Sequence, residues 1–318
     1  MSFLTQAIKN FAQNVDIYVV VHERPDGDAM GSQVALTLYL REQNLNAFAL
    51  QTETLPDVYQ YFYQTVPTQT LTGFSPTSNA LFIALDCGIA TRIAPEIQSC
   101  ECALVIDHHP AEGSWGKLRF INPEATSTCE ILTTLLDQAG YKFDNPKINE
   151  ALYLGLLTDS GNFSHSNVTQ HTFKCAEKLI AAGVKPYRII QRVFNNKTEE
   201  QLKLQAVFLS RIKTYAHGRI VISELDVNDY ALTHTCHNDT EGLVNQLLSL
   251  KNAKIAVFLE KNETFIKCSL RSSDPTIAVN KVAQKYGGGG HICAAGAKID
   301  PHHFNFEEFL HDLDTLLS

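Results

Sequence analysis

Three short apolar runs constrain this chain most: DIYVVV at residues 16–21, NALFIALD at 79–86 and CALVIDHH at 102–109. The last two end in acidic or histidine residues, and a loop opening with His22 follows the first. Runs that are apolar almost throughout, rather than at alternate positions, belong to strands buried on both faces of a parallel sheet. Helical stretches separate them, the first from about Gly27 to Glu42. The expected fold class is therefore α/β, a doubly wound and mainly parallel sheet. Ligands of such sheets bind beyond the carboxyl ends of the strands. All three runs carry their polar clusters to that edge.

From about residue 127 to 194 the pattern is helical, with STCEILTTLLDQAG, NEALYLGLLTDSG and TQHTFKCAEKLIAAG in turn. All three stop at glycine, a usual helix end. One more helix, TEEQLKLQAVFLSRI at 198–212, reads as a connector. Beyond it RIVISEL, KIAVFLEKN and TFIKCSLRS are β-rich, the last two forming a hairpin around residues 261–263, and the helix PTIAVNKVAQKY follows. The expected layout is a catalytic domain over 1–195, a helical linker over 196–215 and a smaller α/β domain over 216–318. A length of 318 residues accommodates two domains.

The loop after the first run reads V-H-E-R-P-D-G-D-A-M-G-S, crowding His22, Asp26 and Asp28 into seven residues. Pro25 and Gly27 favour a tight turn that lets the carboxylates converge. Gly31 and Ser32 are small enough for something bulky to sit over the start of the helix. The second run delivers Asp86, the third Asp107, His108 and His109, and an apolar helix delivers Asp159 in L-L-T-D-S-G. A strand-terminal aspartate is often a turn cap, but four segments supplying Asp and His to one edge exceed what turns require. An oxygen-rich set with a minority of imidazole suits Mn(II) or Mg(II), and the lack of thiolates argues against structural zinc.

Taken together, H-E-R-P-D-G-D, D-C-G, D-H-H and T-D-S-G resemble the four motifs of the DHH phosphoesterase superfamily. The tail R-S-S … G-G-G-G-H-I-C-A-A-G resembles the DHH-associated C-terminal domain. Length and layout are most similar to the nanoRNase group, bifunctional oligoribonuclease and pAp phosphatase enzymes. By position the resemblance implies two divalent metal ions. His22, Asp26 and Asp86 would hold one, and Asp28, Asp86, His108 and Asp159 the other, with Asp86 bridging. It further implies that His109 faces the substrate phosphate and that Asp107 orients its neighbours. Cys87 departs from the Ser or Thr expected after the strand-terminal aspartate.

Four consecutive glycines, Gly287 to Gly290, precede His291. Glycine admits close backbone approach and can let successive N–H groups cup an anion. Arg271 ends a strand and suits bidentate phosphate contact. The resemblance carries substrate binding to Arg271, Gly289, Gly290 and His291. Weaker candidates are His165 and Arg92, and Trp115 and Tyr141 as stacking aromatics. His234, His237, His302 and His303 read as solvated.

A net charge of −8, with no visible basic cluster, disfavours long duplex nucleic acid as a partner. The expected substrates are short single-stranded RNA, dinucleotides and pAp. Rival readings are a hydrolase of linear pNpN or cyclic dinucleotides and a non-catalytic nucleotide-binding regulator. A Ser-His-Asp hydrolase lacks its G-x-S-x-G elbow. No run approaches the length of a membrane span, the N-terminus lacks the pattern of a signal peptide, and eight scattered cysteines suit free thiols. These features point to the cytoplasm, with a homodimer left open.

Overall fold

The computed structural model describes residues 3–9, 11, 15–51, 55, 57–110 and 114–317. The chain divides into two compact units, Met1–Asn196 and Lys197–Ser318. In the first unit α1 (Phe3–Lys9) precedes β1 (Asp16–Val20), α2 (Gly27–Glu42), β2 (Asn46–Gln51), α3 (Asp57–Tyr63), β3 (Thr68–Thr70) and β4 (Leu81–Leu85). Then come β5 (Cys102–Asp107), β6 (Leu118–Ile121), α4 (Thr128–Gln138), α5 (Pro146–Asp159), α6 (Gln170–Ala181) and α7 (Pro186–Val193). The strands form one sheet in the order β3-β2-β1-β4-β5-β6. Every pairing in it is parallel.

This order reverses direction between β1 and β4. At such a switch point the loops leave toward opposite sides and open a crevice at the carboxyl edge. His22 follows β1 and Asp86 follows β4, so two of the expected residues flank the crevice from its first two strands.

Alternate strand residues face opposite layers. Ile17, Val19, Ile83, Leu85, Leu104 and Ile106 join the larger core with α2, α4 and α5. Tyr18, Val20, Phe82, Ala84 and Val105 pack on the other face against Ile93 and Ile97, which lie on or beside two short 3₁₀ turns. Helix α2 is buried through most of its length. It lies against α5 so closely that a Cβ on Gly31 would sit 2.3 Å from the Ala151 carbonyl oxygen.

The second unit contains α8 (Glu199–Ser210), β7 (Lys213–Tyr215), β8 (Ile220–Asp226), α9 (Val227–Thr233), α10 (Leu243–Leu247) and β9 (Ile255–Lys261). It continues with β10 (Ile266–Ser272), α11 (Val279–Lys285), β11 (Gly289–His291), β12 (Ala294–Ile299) and α12 (Phe306–Thr315). Its sheet runs β11-β12-β10-β9-β8-β7, antiparallel except for β8 with β9. The helix read from sequence as a connector, α8, belongs to this unit. Leu204 and Phe208 are fully buried in the unit's core, and the Phe208 ring meets Phe258 edge-on at 5.0 Å. All eight cysteines are free. Among the described residues no helix is long and apolar enough to cross a membrane.

Candidate metal and phosphoester site

The turn after β1 ends in Asp26, which caps α2 by accepting hydrogen bonds from the Asp28 and Ala29 amides, both at 3.0 Å. That cap fixes one carboxylate oxygen. The His22 ring sets its Nδ1 2.8 Å from the Glu23 carbonyl oxygen. Its Nε2 then lies 3.3 Å from Asp86 Oδ2.

Asp86 terminates β4 with φ = 56°, a left-handed conformation. Such geometry costs roughly 1–2 kcal/mol for an ordinary residue and less for Asp. The neighbouring ladder holds it there, because the Asp86 amide donates to the Ile106 carbonyl at 3.0 Å. Its two oxygens face different partners. Oδ2 meets His22, while Oδ1 lies 3.5 Å from His108 Nε2, 3.4 Å from His109 Nδ1 and 3.1 Å from the Thr128 hydroxyl.

Asp28 has no solvent exposure. The N-terminus of α4 holds it, with Thr128 N–H donating to Oδ2 at 2.7 Å and Cys129 N–H to Oδ1 at 2.9 Å. His108 approaches the Ala125 carbonyl through Nδ1 at 3.3 Å and Asp159 through Nε2 at 3.1 Å. Asp107 is buried and accepts from the His109 amide at 3.0 Å and from its Nδ1 at 2.8 Å.

The seven residues His22, Asp26, Asp28, Asp86, His108, His109 and Asp159 thus come together around Asp86. Two overlapping sets, His22–Asp26–Asp86 and Asp28–Asp86–His108, have ligand atoms within 4.8 Å of one another. Asp86 is common to both.

The electrostatics show what this arrangement requires. Burial first, and then the Asp159 and Asp86 carboxylates, push the Asp28 pKa well above its ordinary value. Burial also lifts Asp159 to about 6, against the pull of His108. Asp86 moves the other way: burial opposes ionisation, but hydrogen bonds from His109 and His22 outweigh it. Burial likewise opposes charge on His108, yet Asp159 and Asp86 raise its pKa well above the usual range. His109 rises to about 9 for the same reason, through Asp107 and Asp86. Four carboxylates this close need positive charge between them, and protonated imidazoles supply it when nothing else does. The Nε2 atoms of His22 and His108 face the carboxylates, and each ring's Nδ1 lies against a backbone carbonyl, the support that histidine ligands normally have. Donor types, sharing and crowding all fit a pair of hard divalent cations.

Thr128 and the Cys129 amide were not anticipated from sequence. The available signal was the S-T-C at the start of α4, where Ser127 accepts from the Glu130 amide as N-cap. Thr128→Val removes the hydroxyl donor to Asp86 and should lower affinity for divalent cations roughly 10- to 100-fold, the usual scale for a group that orients a ligand. Isothermal titration with Mn(II) would measure it, and unchanged affinity would limit Thr128 to packing.

Cys87 is buried, and burial raises its thiol to about 12 despite the nearby Arg92 guanidinium. It is an inert packing group beside the site. The Arg92 carbonyl accepts from the Glu23 amide at 2.8 Å, tying the loop after β1 to the turn after β4. His165 is exposed, with Nδ1 3.2 Å from the Asp159 carbonyl. Trp115 packs on the second core, and Tyr141 lies edge-on to Tyr39.

Arg271, Gly289, Gly290 and His291 lie in the second unit. Arg271 pairs with Ala294, and Ala294 pairs with His291, so one row crosses β10, β12 and β11. Paired residues share a face. Arg271 donates from Nε to Asn245 Oδ1 at 3.1 Å and from Nη1 to the Leu270 carbonyl at 2.9 Å. The glycine run was expected as an anion-cupping loop; part of it is instead the edge strand β11. Close strand approach accounts for Gly288 and Gly290, where a Cβ would lie 2.0 Å from the Gly296 carbonyl oxygen and 2.5 Å from that of Ala294, while a Cβ on Gly287 or Gly289 would meet open space.

Residues 16–157 match the DHH family N-terminal domain, and residues 218–318 match the DHHA1 domain. The bifunctional oligoribonuclease and PAP phosphatase NrnA of Bacillus subtilis is 29% identical, with 98% of each chain covered. The protein of the same name from Thermus thermophilus is 28% identical over 89% of this chain and 84% of its own. The crystal structure of an exopolyphosphatase-related protein from Bacteroides fragilis superposes with a TM-score of 0.85 at 25% identity, covering 99% of this chain and 94% of that one. The chain is a DHH-family phosphoesterase that carries a DHHA1 domain after its DHH domain.

Proposed function

We propose that this phosphoester hydrolase degrades short oligonucleotides, about two to five residues long, to nucleoside monophosphates and removes the 3′-phosphate of pAp. The observation that carries the reading is the division of Asp86, one oxygen toward His22 and the other toward His108. A carboxylate so placed is suited to bridge two cations, Mn(II) or Mg(II), held on one side with His22 and Asp26 and on the other with Asp28, His108 and Asp159. When bound, such a pair acidifies a water and offsets charge on the attacking and leaving oxygens of a phosphoester. The names of the Bacillus and Thermus relatives support the same substrates.

The chain's own residues have separate tasks. Asp26 and Asp28 are immobilised by backbone amides and so present fixed oxygens. His109, kept cationic by Asp107 and Asp86, is suited to meet an anionic phosphate oxygen. Asp107 orients that ring and is not itself a ligand in this scheme. Arg271, Gly289, Gly290 and His291 would hold the nucleotide or its terminal phosphate.

Turnover of pApA, short RNA, pAp and pyrophosphate, compared side by side with Mn(II), tests the proposal. Metal-stimulated release of nucleoside monophosphate and phosphate from the first three is expected; pyrophosphate as the sole substrate would refute it. Arg271→Ala should raise KM for di- to pentanucleotides about 10- to 100-fold, the scale of a charge-assisted hydrogen bond, with metal content unchanged. Loss of metal in that variant would assign Arg271 a structural role instead.

A further inference from the structure

We propose that the first unit carries a second nucleotide-binding site, remote from the metal cluster, in the cleft between α3 and α7. The cleft has a volume of about 810 Å³, within the range of small-molecule sites. It reaches Glu150 near the start of α5, whereas Asp159 of the metal cluster ends the same helix. Nine residues at about 1.5 Å each separate the two by roughly 14 Å along the helix.

The side chains lining this cleft specify a class of ligand. Helix α7 buries Ile189 and turns Tyr187, Arg188 and Arg192 toward the cleft. Tyr187 is 61% exposed, a large fraction for an aromatic ring at the mouth of a cleft. Arg188 donates from Nε to the Tyr187 hydroxyl at 3.2 Å, so the ring and the charge are presented together. Arg192 stacks its guanidinium 3.5 Å from the centroid of Tyr61, which leaves the in-plane N–H fork able to donate. Among the described residues neither arginine forms an ion pair with a carboxylate. Glu150 is the sole carboxylate among the described lining residues, and it accepts from the Tyr61 hydroxyl at 3.3 Å.

Two guanidiniums exclude a metal cation as occupant. Inorganic phosphate alone would leave the aromatic rings without a role. A planar base carrying a phosphate uses both, stacking on Tyr187 and pairing with arginine, while the amides of Gln60, Gln64 and Gln191 can meet base edges. That chemistry is shared by a free mononucleotide and by the end of an oligonucleotide. The inference goes beyond the hydrolytic reading and does not depend on it.

Calorimetric titration of the full chain with AMP, without divalent metal, tests it. AMP should bind, and Tyr187→Ala and Arg188→Glu should each weaken it at least tenfold. Arg188→Lys should retain most of the binding, and Arg271→Ala should leave this cleft unaffected. Both exposed positions tolerate substitution, which unchanged melting temperatures and unchanged metal-dependent turnover of a generic phosphodiester would verify. Binding of a pentanucleotide but not AMP, lost in the same two variants, would support the site and identify the chain end as its ligand. Binding of neither AMP nor the pentanucleotide, or binding indifferent to both substitutions, would overturn it. Phosphate competing as well as AMP, with no effect of Tyr187→Ala, would do the same. A failure of hydrolysis appears in turnover alone and leaves this titration readable.

Discussion

Replacing Asp86 by alanine is expected to strip both cations from the protein and to lower metal-dependent turnover by about a thousandfold or more, since the ions contribute several kcal/mol to the transition state. The prediction follows from geometry. One oxygen of Asp86 serves the side of the site containing His22 and the other serves the side containing His108. Removal of Asp26 should cost mainly the first ion, because its carboxylate groups with His22 and Asp86. Removal of Asp86 has no such selectivity. Asp86→Asn provides the control for folding, as Asn also tolerates the left-handed backbone found there. Its amide keeps the shape but not the charge, and it should bind metal almost as poorly as alanine. Elemental analysis after gel filtration in Mn(II), beside turnover of a generic phosphodiester, distinguishes the cases. Two equivalents of metal in the alanine variant would remove the bridging assignment.

Much of this site could be read from the chain because polarity changes abruptly at the ends of buried strands. Val20 to His22, Leu85 to Asp86 and Ile106 to His108 each step from fully buried apolar packing to groups that demand a partner. Helix α2 was legible from Gly27 to Glu42 because Asp26 caps it and no proline interrupts it. The parts that were not legible share a different physics. β3 and β6 have three and four residues and no fully buried side chain, so they carry little apolar signal. The order β3-β2-β1-β4-β5-β6 depends on long-range pairing, which spacing along a chain does not encode. Thr128 acts through a hydroxyl and an amide, chemistry available to any helix start. Helix α8 looked detached because its partners, Val221 and Phe258, are distant in sequence. The glycines before His291 were ambiguous for a related reason: the same residue serves an anion loop and a close strand contact.

Gly155 was invisible in the same way, and its replacement should have the other large effect. Gly155 lies inside α5, where alanine would ordinarily stabilise by up to about 1 kcal/mol. Here a Cβ would lie 2.3 Å from Asp28 Oδ1 and 2.3 Å from Cys129 Sγ. Neither neighbour is a flexible end. The Asp28 carboxylate is fixed by the Thr128 and Cys129 amides, and Cys129 is fully buried. Overpacking a rigid core costs roughly 1–3 kcal/mol. The steric term therefore exceeds the propensity gain, and Gly155→Ala should lower the melting temperature by several degrees. Displacing Asp28 should also weaken the cation on the His108 side at least tenfold, while the His22 side keeps its ligands. Cys129→Ala should recover part of the stability in the double variant, since it removes the sulfur but not the carboxylate contact. Thermal melts with and without Mn(II) would read both quantities. A Gly155→Ala protein that melts higher and binds two cations as tightly as the parent would show that α5 has room to move away from α2, and that the close approach of these helices is not what positions Asp28.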